Sequence, residues 1–394
     1  MFDTILENAT AASMAAVVYH HAVYPKLAAR LGRRSEDATQ RPLLRRLPAL
    51  SIMMPAYNEA GCIAAKIHNI AGQDYPAGQL QILIGCDGCS DATADLARRA
   101  AACHPGHDIQ VIEFPENRGK IAMLNDLMAR ATGAVTVLTD VSALLPVNGL
   151  SRLAAHFGDE RVGAVGAGYR PALETNPGEK AYWDYQRRIK AGESVLGGLI
   201  GAHGACYAIQ TGAWRPLKAD TVNDDFIVPM EIALQGWRTV YDPSIACIEL
   251  DAATDQADFR RRIRIGEGNA QQLWRLLPKL RLDRPGLAFA FLSGKGLRVA
   301  MPFLMAFSLA GAAMAAAGSD LMLMAASMQG AAYGVAAAAW MVPELRRIGT
   351  VEALRYLVAG HIASAIGAMR FAFARRRGAW GRVGGGNRNP GAAA

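Results

Sequence analysis

The chain has 394 residues, 52% hydrophobic and 19% charged, with a formal net charge of +8. That length admits a large domain with appendages or two domains, and the apolar excess, which gathers toward the C-terminus, points to a membrane. The positive charge lies in short arginine runs, "RLGRR", "RPLLRR", "FRRRIRI" and "FARRRGAW", beside apolar segments. This is the pattern of cytoplasmic flanks of membrane segments, and the lack of a basic face interleaved with aromatics excludes a nucleic-acid partner. The six cysteines show no framework spacing, which fits a reducing compartment. "CDGC" at 86–89 is a lone CxxC with no second pair for zinc.

In chain order, residues 9–25, "ATAASMAAVVYHHAVYP", form a short apolar segment broken by His20 and His21. It reads as an anchor that spans or lies in the interface, followed by a basic linker to residue 48; no cleavage pattern marks a signal peptide. From residue 50, "LSIMMP", "LQILIGC", "DIQVIEF" and "AVTVLT" alternate with the helix-period runs "AGCIAAKIHNIAG", "SDATADLARRAAAC" and "GKIAMLNDLMARA". Continuously apolar strands separated by helices predict an α/β domain over 49–250, a doubly wound, mostly parallel sheet with helices on both faces. Further strands are expected at 162–169, 205–209 and 238–241, and helices at 180–194 and 224–235. Residues 251–296 carry amphipathic interface helices, chiefly 258–277. Then 299–317 and 321–342 form a transmembrane hairpin across "GSD", each long enough for a bilayer that needs about 20 apolar residues. Segment 351–373 spans, re-enters or lies flat, which completes a membrane region over 297–374. Residues 375–394 read as a disordered basic tail.

Ligands of open α/β sheets bind beyond the carboxyl ends of the strands. Polar residues follow all four early strands: Glu59 in "AYNEAG", Asp87 and Asp91 in "DGCSDAT", Arg118 and Lys120 in "PENRGK", and Asp140. Ser90 or Asp91 also suits a helix cap, and Arg118 and Lys120 suit either a phosphate or a solvated turn. The P-loop spacing is absent. Asp140 alone suffices for Mg²⁺ or Mn²⁺ if a diphosphate completes the shell, with Ser142 to orient a water; the plainer alternative is an Asx turn. In "NDDFIVPMEIALQGW" one of Asp224 and Asp225 can cap a helix while the other serves as a base. "GAHGACYAIQ" offers a glycine-rich approach surface.

Taken in order, "PAYNEAG", "CDGCSDAT", "ENRGKIAMLN", "TDVSALL", "GACYAI", "NDDFIVPMEIALQGW" and "FRRRIRI" resemble the family-2 inverting glycosyltransferases of the GT-A fold. The similarity is to their membrane-integrated branch, which includes cellulose, chitin and hyaluronan synthase-like proteins. The resemblance implies that Ala56, Tyr57, Glu59 and Asp87 hold the base and ribose of a nucleotide, usually uridine, with Lys120 in the adjoining wall. It makes Asp140 the metal and diphosphate ligand, Asp225 the catalytic base and Asp224 its acidic neighbour. Gly204 and Ala205 would line the acceptor site, and Arg262 and Arg264 would lie under the diphosphate or the emerging chain. The implied partners are a nucleotide-sugar donor, a glycan or lipid-linked acceptor and the lipid bilayer, with the catalytic domain on the cytoplasmic side of a bacterial inner membrane.

Three departures are informative. Ser142 replaces the second acid of DxD, Cys89 replaces a common serine, and Phe259 and Ile263 stand where processive synthases carry Gln and Trp. The last favours adding one or a few sugars over polymer synthesis. The alternatives are a processive synthase or a non-catalytic scaffold that keeps the fold. A sugar nucleotidyltransferase would want a Gly-rich basic loop after the first strand, and "PAYNEAG" is not one.

Overall fold

A computed structural model describes residues 2–39, 46–171, 177–250, 255–281 and 283–373. The tail expected over 375–394 lies outside the described residues. Two compact units emerge, one of Ala38–Leu173 and Gly201–Arg261, the other of Met1–Asp37, Glu174–Ile200 and Arg262–Phe373.

The first unit is built on an eight-stranded sheet. Its elements run β1 (Leu50–Ala56), α3 (Ile63–Ala71), β2 (Leu80–Asp87), α4 (Thr93–Ala102), β3 (Asp108–Phe114), α5 (Lys120–Met128), β4 (Val135–Thr139), β5 (Ala143–Leu144), α6 (Gly149–His156), β6 (Val162–Pro171), β7 (Cys206–Gln210), α8 (Asp224–Leu234) and β8 (Arg238–Glu249). The strand order is β3-β2-β1-β4-β7-β6-β8-β5. Pairs β1–β2, β2–β3, β1–β4 and β6–β8 are parallel, whereas β7 runs antiparallel to β4 and β6, and β5 to β8. The sheet is therefore mixed and mostly parallel.

Strands β1, β2 and β4 are buried along their whole length, as uninterrupted apolar runs require. Ile52, Met53, Met54, Ile82, Leu83 and Val137 are sealed from solvent, each contributing roughly 1.5–3 kcal/mol of burial. Strand β3 differs: it is an edge strand with Asp108 and Glu113 exposed. The parallel run β3-β2-β1-β4 places the carboxyl ends of the first four strands on one margin, where their loops gather.

The second unit is helical. It holds α1 (Phe2–Val18) and α2 (Tyr24–Thr39), joined by a π-helical segment Tyr19–Val23, then α7 (Pro177–Leu196), α9 (Asp255–Leu276) from Arg262 onward, α10 (Pro285–Ala290), a π-helical segment Phe291–Gly296, α11 (Leu297–Ala315), α12 (Asp320–Met341) and α13 (Gly349–Phe373). Helix α2 carries the chain through the stretch expected as a linker as far as Thr39. The helix expected at 180–194 groups with this unit, because bare glycines bring α7 backbone to backbone with α2: a Cβ on Gly192 would meet the Ala28 carbonyl at 2.0 Å. Three helices among the described residues are long and apolar enough to cross a membrane: Pro285–Ala315, Asp320–Met341 and Gly349–Phe373.

Candidate active site

The loops after the first three strands are stitched together by side chains. Asn58 Oδ1 accepts from the Ser90 N–H at 2.9 Å, and the Glu59 N–H donates to Thr93 Oγ1 at 2.7 Å. Asp91 accepts from the Thr93 N–H at 3.0 Å and the Ala60 N–H at 3.2 Å, so it forms an Asx turn leading into α4, whose N-cap position is Ala92, and a tie to the first loop. Asp87, fully buried, accepts from the Arg118 N–H at 3.0 Å and the Gly119 N–H at 2.8 Å, and so fixes the third loop on the second. Gly88 between them has φ +62°, and a Cβ there would come within 2.3 Å of the Asn117 nitrogen. Only glycine meets both conditions. Ala56 is buried at the end of β1, with Tyr57 and Glu59 half-buried beyond it.

The remaining acids converge. Lys120, the first residue of α5, puts Nζ 3.0 Å from Asp140 Oδ1 and 3.2 Å from Asp224 Oδ1. Burial works against its charge, but the pull of Asp140, Asp224 and Asp225 prevails and holds its pKa above the ordinary lysine value. Asp224 also accepts from the Tyr207 hydroxyl at 3.2 Å. Gly204 faces the other side: a Cβ there would stand 3.0 Å from Asp140 Oδ2 and 3.6 Å from Asp225 Oδ2. A bare backbone thus keeps the space between the two carboxylates open.

Helix α8 holds Asp225 by an unusual device. Pro229 lies inside the helix and has no N–H to give to the carbonyl four residues earlier, that of Asp225. That carbonyl instead accepts from the Ala202 N–H at 2.7 Å, which ties the residue to the loop before β7. Both acids occupy the first turn of α8, at the end of the helix dipole that attracts anionic groups.

The structure thus brings Lys120, Asp140, Asp224, Asp225, Gly204 and Ala205 together. Arg262 packs its guanidinium 3.6 Å over the Tyr356 ring of α13 and donates to the Tyr356 carbonyl at 3.3 Å, while Arg264 is exposed. The neighbouring Arg261 interacts electrostatically with Asp140. Burial opposes its charge, and Tyr169, Glu249 and Asp140 outweigh that and raise its pKa. Sequence reading also passed over Lys66 and Tyr207, both fully buried. His203 is packed between the rings of Tyr169 and Tyr241, with centroids at 5.6 and 6.1 Å.

The donor set suits a hard divalent cation in one way only. Asp140 Oδ1 is engaged by Lys120 while Oδ2 faces Gly204, and among the described residues no group of three His, Cys, Asp or Glu forms a metal cluster. A cation here would draw its remaining oxygen ligands from phosphates and water, as Mg²⁺ commonly does.

Residues 48–268 match the model of the family described as glycosyltransferase like family 2. The chain is 26% identical over 265 residues to an N-acetylglucosaminyltransferase of Rhizobium meliloti, covering 62% of this chain and 61% of that one. It is 22% identical over 234 residues to a poly-beta-1,6-N-acetyl-D-glucosamine synthase of Staphylococcus epidermidis, covering 57% and 56%. A beta-monoglucosyldiacylglycerol synthase of Trichormus variabilis is 24% identical over 253 residues, covering 60% and 53%. The matches thus span between about half and three fifths of the length of these curated relatives. Among solved structures, the mannosyltransferase PcManGT from Pyrobaculum calidifontis, in complex with GDP-Man and Mn²⁺, superposes with a TM-score of 0.72 at 25% identity, over 93% of this chain and 100% of that one.

Proposed function

The chain belongs to glycosyltransferase like family 2, and from that premise we propose that it moves a sugar from a nucleotide-diphosphate donor to a glycan or lipid-linked acceptor, with inversion. The observation that carries this reading is the convergence of Asp140 Oδ2 and Asp225 Oδ2 on Gly204, with Lys120 bridging Asp140 and Asp224. The donor's base and ribose lie against Ala56, Tyr57, Glu59 and the loop that Asp87 fixes. Its diphosphate lies toward Asp140 and Lys120.

Asp225 takes the proton of the acceptor hydroxyl as that oxygen attacks the anomeric carbon, in a single displacement from the face opposite the leaving group. Asp224, bonded by Lys120 and Tyr207, fixes the first turn of α8 instead of taking the proton. Gly204 and Ala205 give the acceptor sugar room to approach. Lys120 offers positive charge to the departing diphosphate. Asp140 would hold Mg²⁺ or Mn²⁺, which when bound offsets the charge that develops on the diphosphate; the Mn²⁺ in PcManGT supports this use.

Addition of one or a few sugars is supported by Ile263, which is buried within the helical unit where processive synthases present a tryptophan. The three apolar helices support insertion in a membrane, and the arginine runs beside the apolar segments support a cytoplasmic sheet-bearing unit at a bacterial inner membrane.

Asp225→Asn tests the mechanism. Transfer should fall about a thousandfold or more while affinity for the donor stays within about twofold, and the wild-type product should carry the inverted anomeric configuration by NMR. Full transfer by Asp225→Asn, or a retained configuration, rejects the assignment.

A further inference from the structure

Lys66 lies in the middle of α3 in a helix-period run, where a lysine ordinarily reaches solvent, yet it is fully buried. Its Nζ donates to Thr139 Oγ1 at 2.8 Å and to the Ala143 carbonyl. Those residues are the two shoulders of the turn that carries Asp140. The Thr139 hydroxyl in turn donates to the Ala205 carbonyl at 2.6 Å, next to Gly204, whose Cα side faces Asp140 Oδ2. One side-chain nitrogen therefore pins both flanks of the Asp140 turn and, through one hydroxyl, the loop opposite it.

Space-filling does not explain such a residue. Removing a lysine head group from water is costly enough that burial lowers its pKa, and a methionine would fill the volume without that cost. What Lys66 adds is direction, because its compact head reaches two acceptors on different segments at once. This chain has a particular use for it: Ser142 stands where a second acid would help hold a cation, so the aim of the lone Asp140 carboxylate depends on its supports.

We infer that Lys66 is a positioning residue for the donor end of the site, holding the 139–143 turn and the 204–205 loop at one separation and thereby setting how tightly Asp140 engages the metal-bound diphosphate. The inference rests on the nucleotide-sugar reading of this site.

The test uses full-length protein in detergent, as wild type, Lys66→Met, Lys66→Arg and Thr139→Val. Binding of UDP and of GDP is measured by calorimetry with and without Mn²⁺, beside thermal unfolding and donor kinetics. In folded Lys66→Met and Thr139→Val, the Mn²⁺-dependent affinity should weaken about tenfold and donor KM should rise in step, with kcat changed less. Affinity without Mn²⁺ should move by less than about twofold, a split that a loss of stability alone does not produce. Lys66→Arg should not restore binding, since a planar guanidinium does not set one compact head between the two acceptors. Mn²⁺-dependent affinity within about twofold of wild type in either folded variant overturns the inference. If Lys66→Met does not fold, Thr139→Val decides, since it severs the same bond from the other side at nearly constant volume. A wild type that binds neither nucleotide fails the donor reading and the inference with it, whereas a binding wild type with unaffected variants fails the inference alone.

Discussion

Cys89 occupies the turn after β2 with its Sγ 3.6 Å from the Ala56 carbonyl, inside the group of loops proposed to hold the nucleotide. A hydrogen bond from Cys86 lowers its pKa to about 7 against the opposing effect of burial, while the Cys86 thiol is pushed up. Lowering a thiol's pKa brings its reactive anion into the neutral range. Alkylation of Cys89 by iodoacetamide, followed by peptide mass spectrometry, should therefore rise with pH through about 7 and level off above it. A rate still climbing steeply at pH about 9 contradicts this. Asp140 and Asp225 stand out in the sequence because acids at a strand end and a helix start break apolar runs. Lys66 and Tyr207 do not, since a lysine in a helix and a tyrosine in a strand are ordinary there. Their importance arises from partners far along the chain. Arg261 was missed for another reason: motif register selects Arg262, whereas the turn of α9 presents Arg261 to Tyr169, Glu249 and Asp140.

At the level of the element, helix α8 joins local chemistry to placement. Pro229 leaves the Asp225 carbonyl open to Ala202, so the proline costs the helix one internal bond and gains one to the neighbouring loop. Pro229→Ala should supply the missing N–H, let α8 reclaim that carbonyl and loosen the 201–205 loop. The expected outcome is equal or higher thermal stability with kcat reduced roughly tenfold. Unchanged kcat would show that the tie does not govern the placement of Asp225. The strands and helices of the sheet were legible because burial on both faces imposes continuous apolar runs. Strand β5 was not: it has two residues, and its pairing of Ala143 with Glu249 is decided by β8. The π-helical segments were equally hidden, since each is a single short stretch inside a longer apolar helical run and carries no composition of its own.

Across the whole molecule, the exposed surface of the helical unit is strongly apolar. Met314, Leu321, Met328, Met341 and Phe373 are each more than 60% exposed, a degree of exposure that a lipid environment satisfies and water does not. The full chain should remain in the membrane pellet through an alkaline carbonate wash and require detergent for release. Release by carbonate alone would reject insertion. Composition made the apolar C-terminal helices legible, but the division into units was not, because it depends on which helix faces which and not on the order of segments. Helix α7 shows this. It is encoded between β6 and β7 yet closes against α2 through Gly32 and Gly192.

That arrangement has a practical corollary for anyone wishing to excise a soluble enzyme. The polypeptide leaves the sheet-bearing unit before Glu174 and re-enters it at Gly201, so trimming either terminus strands helix α7 without a packing partner. A workable fragment calls for internal deletion, with a short polar bridge replacing residues 174–200, and its recovery without detergent would mark the catalytic half as an autonomous folding entity.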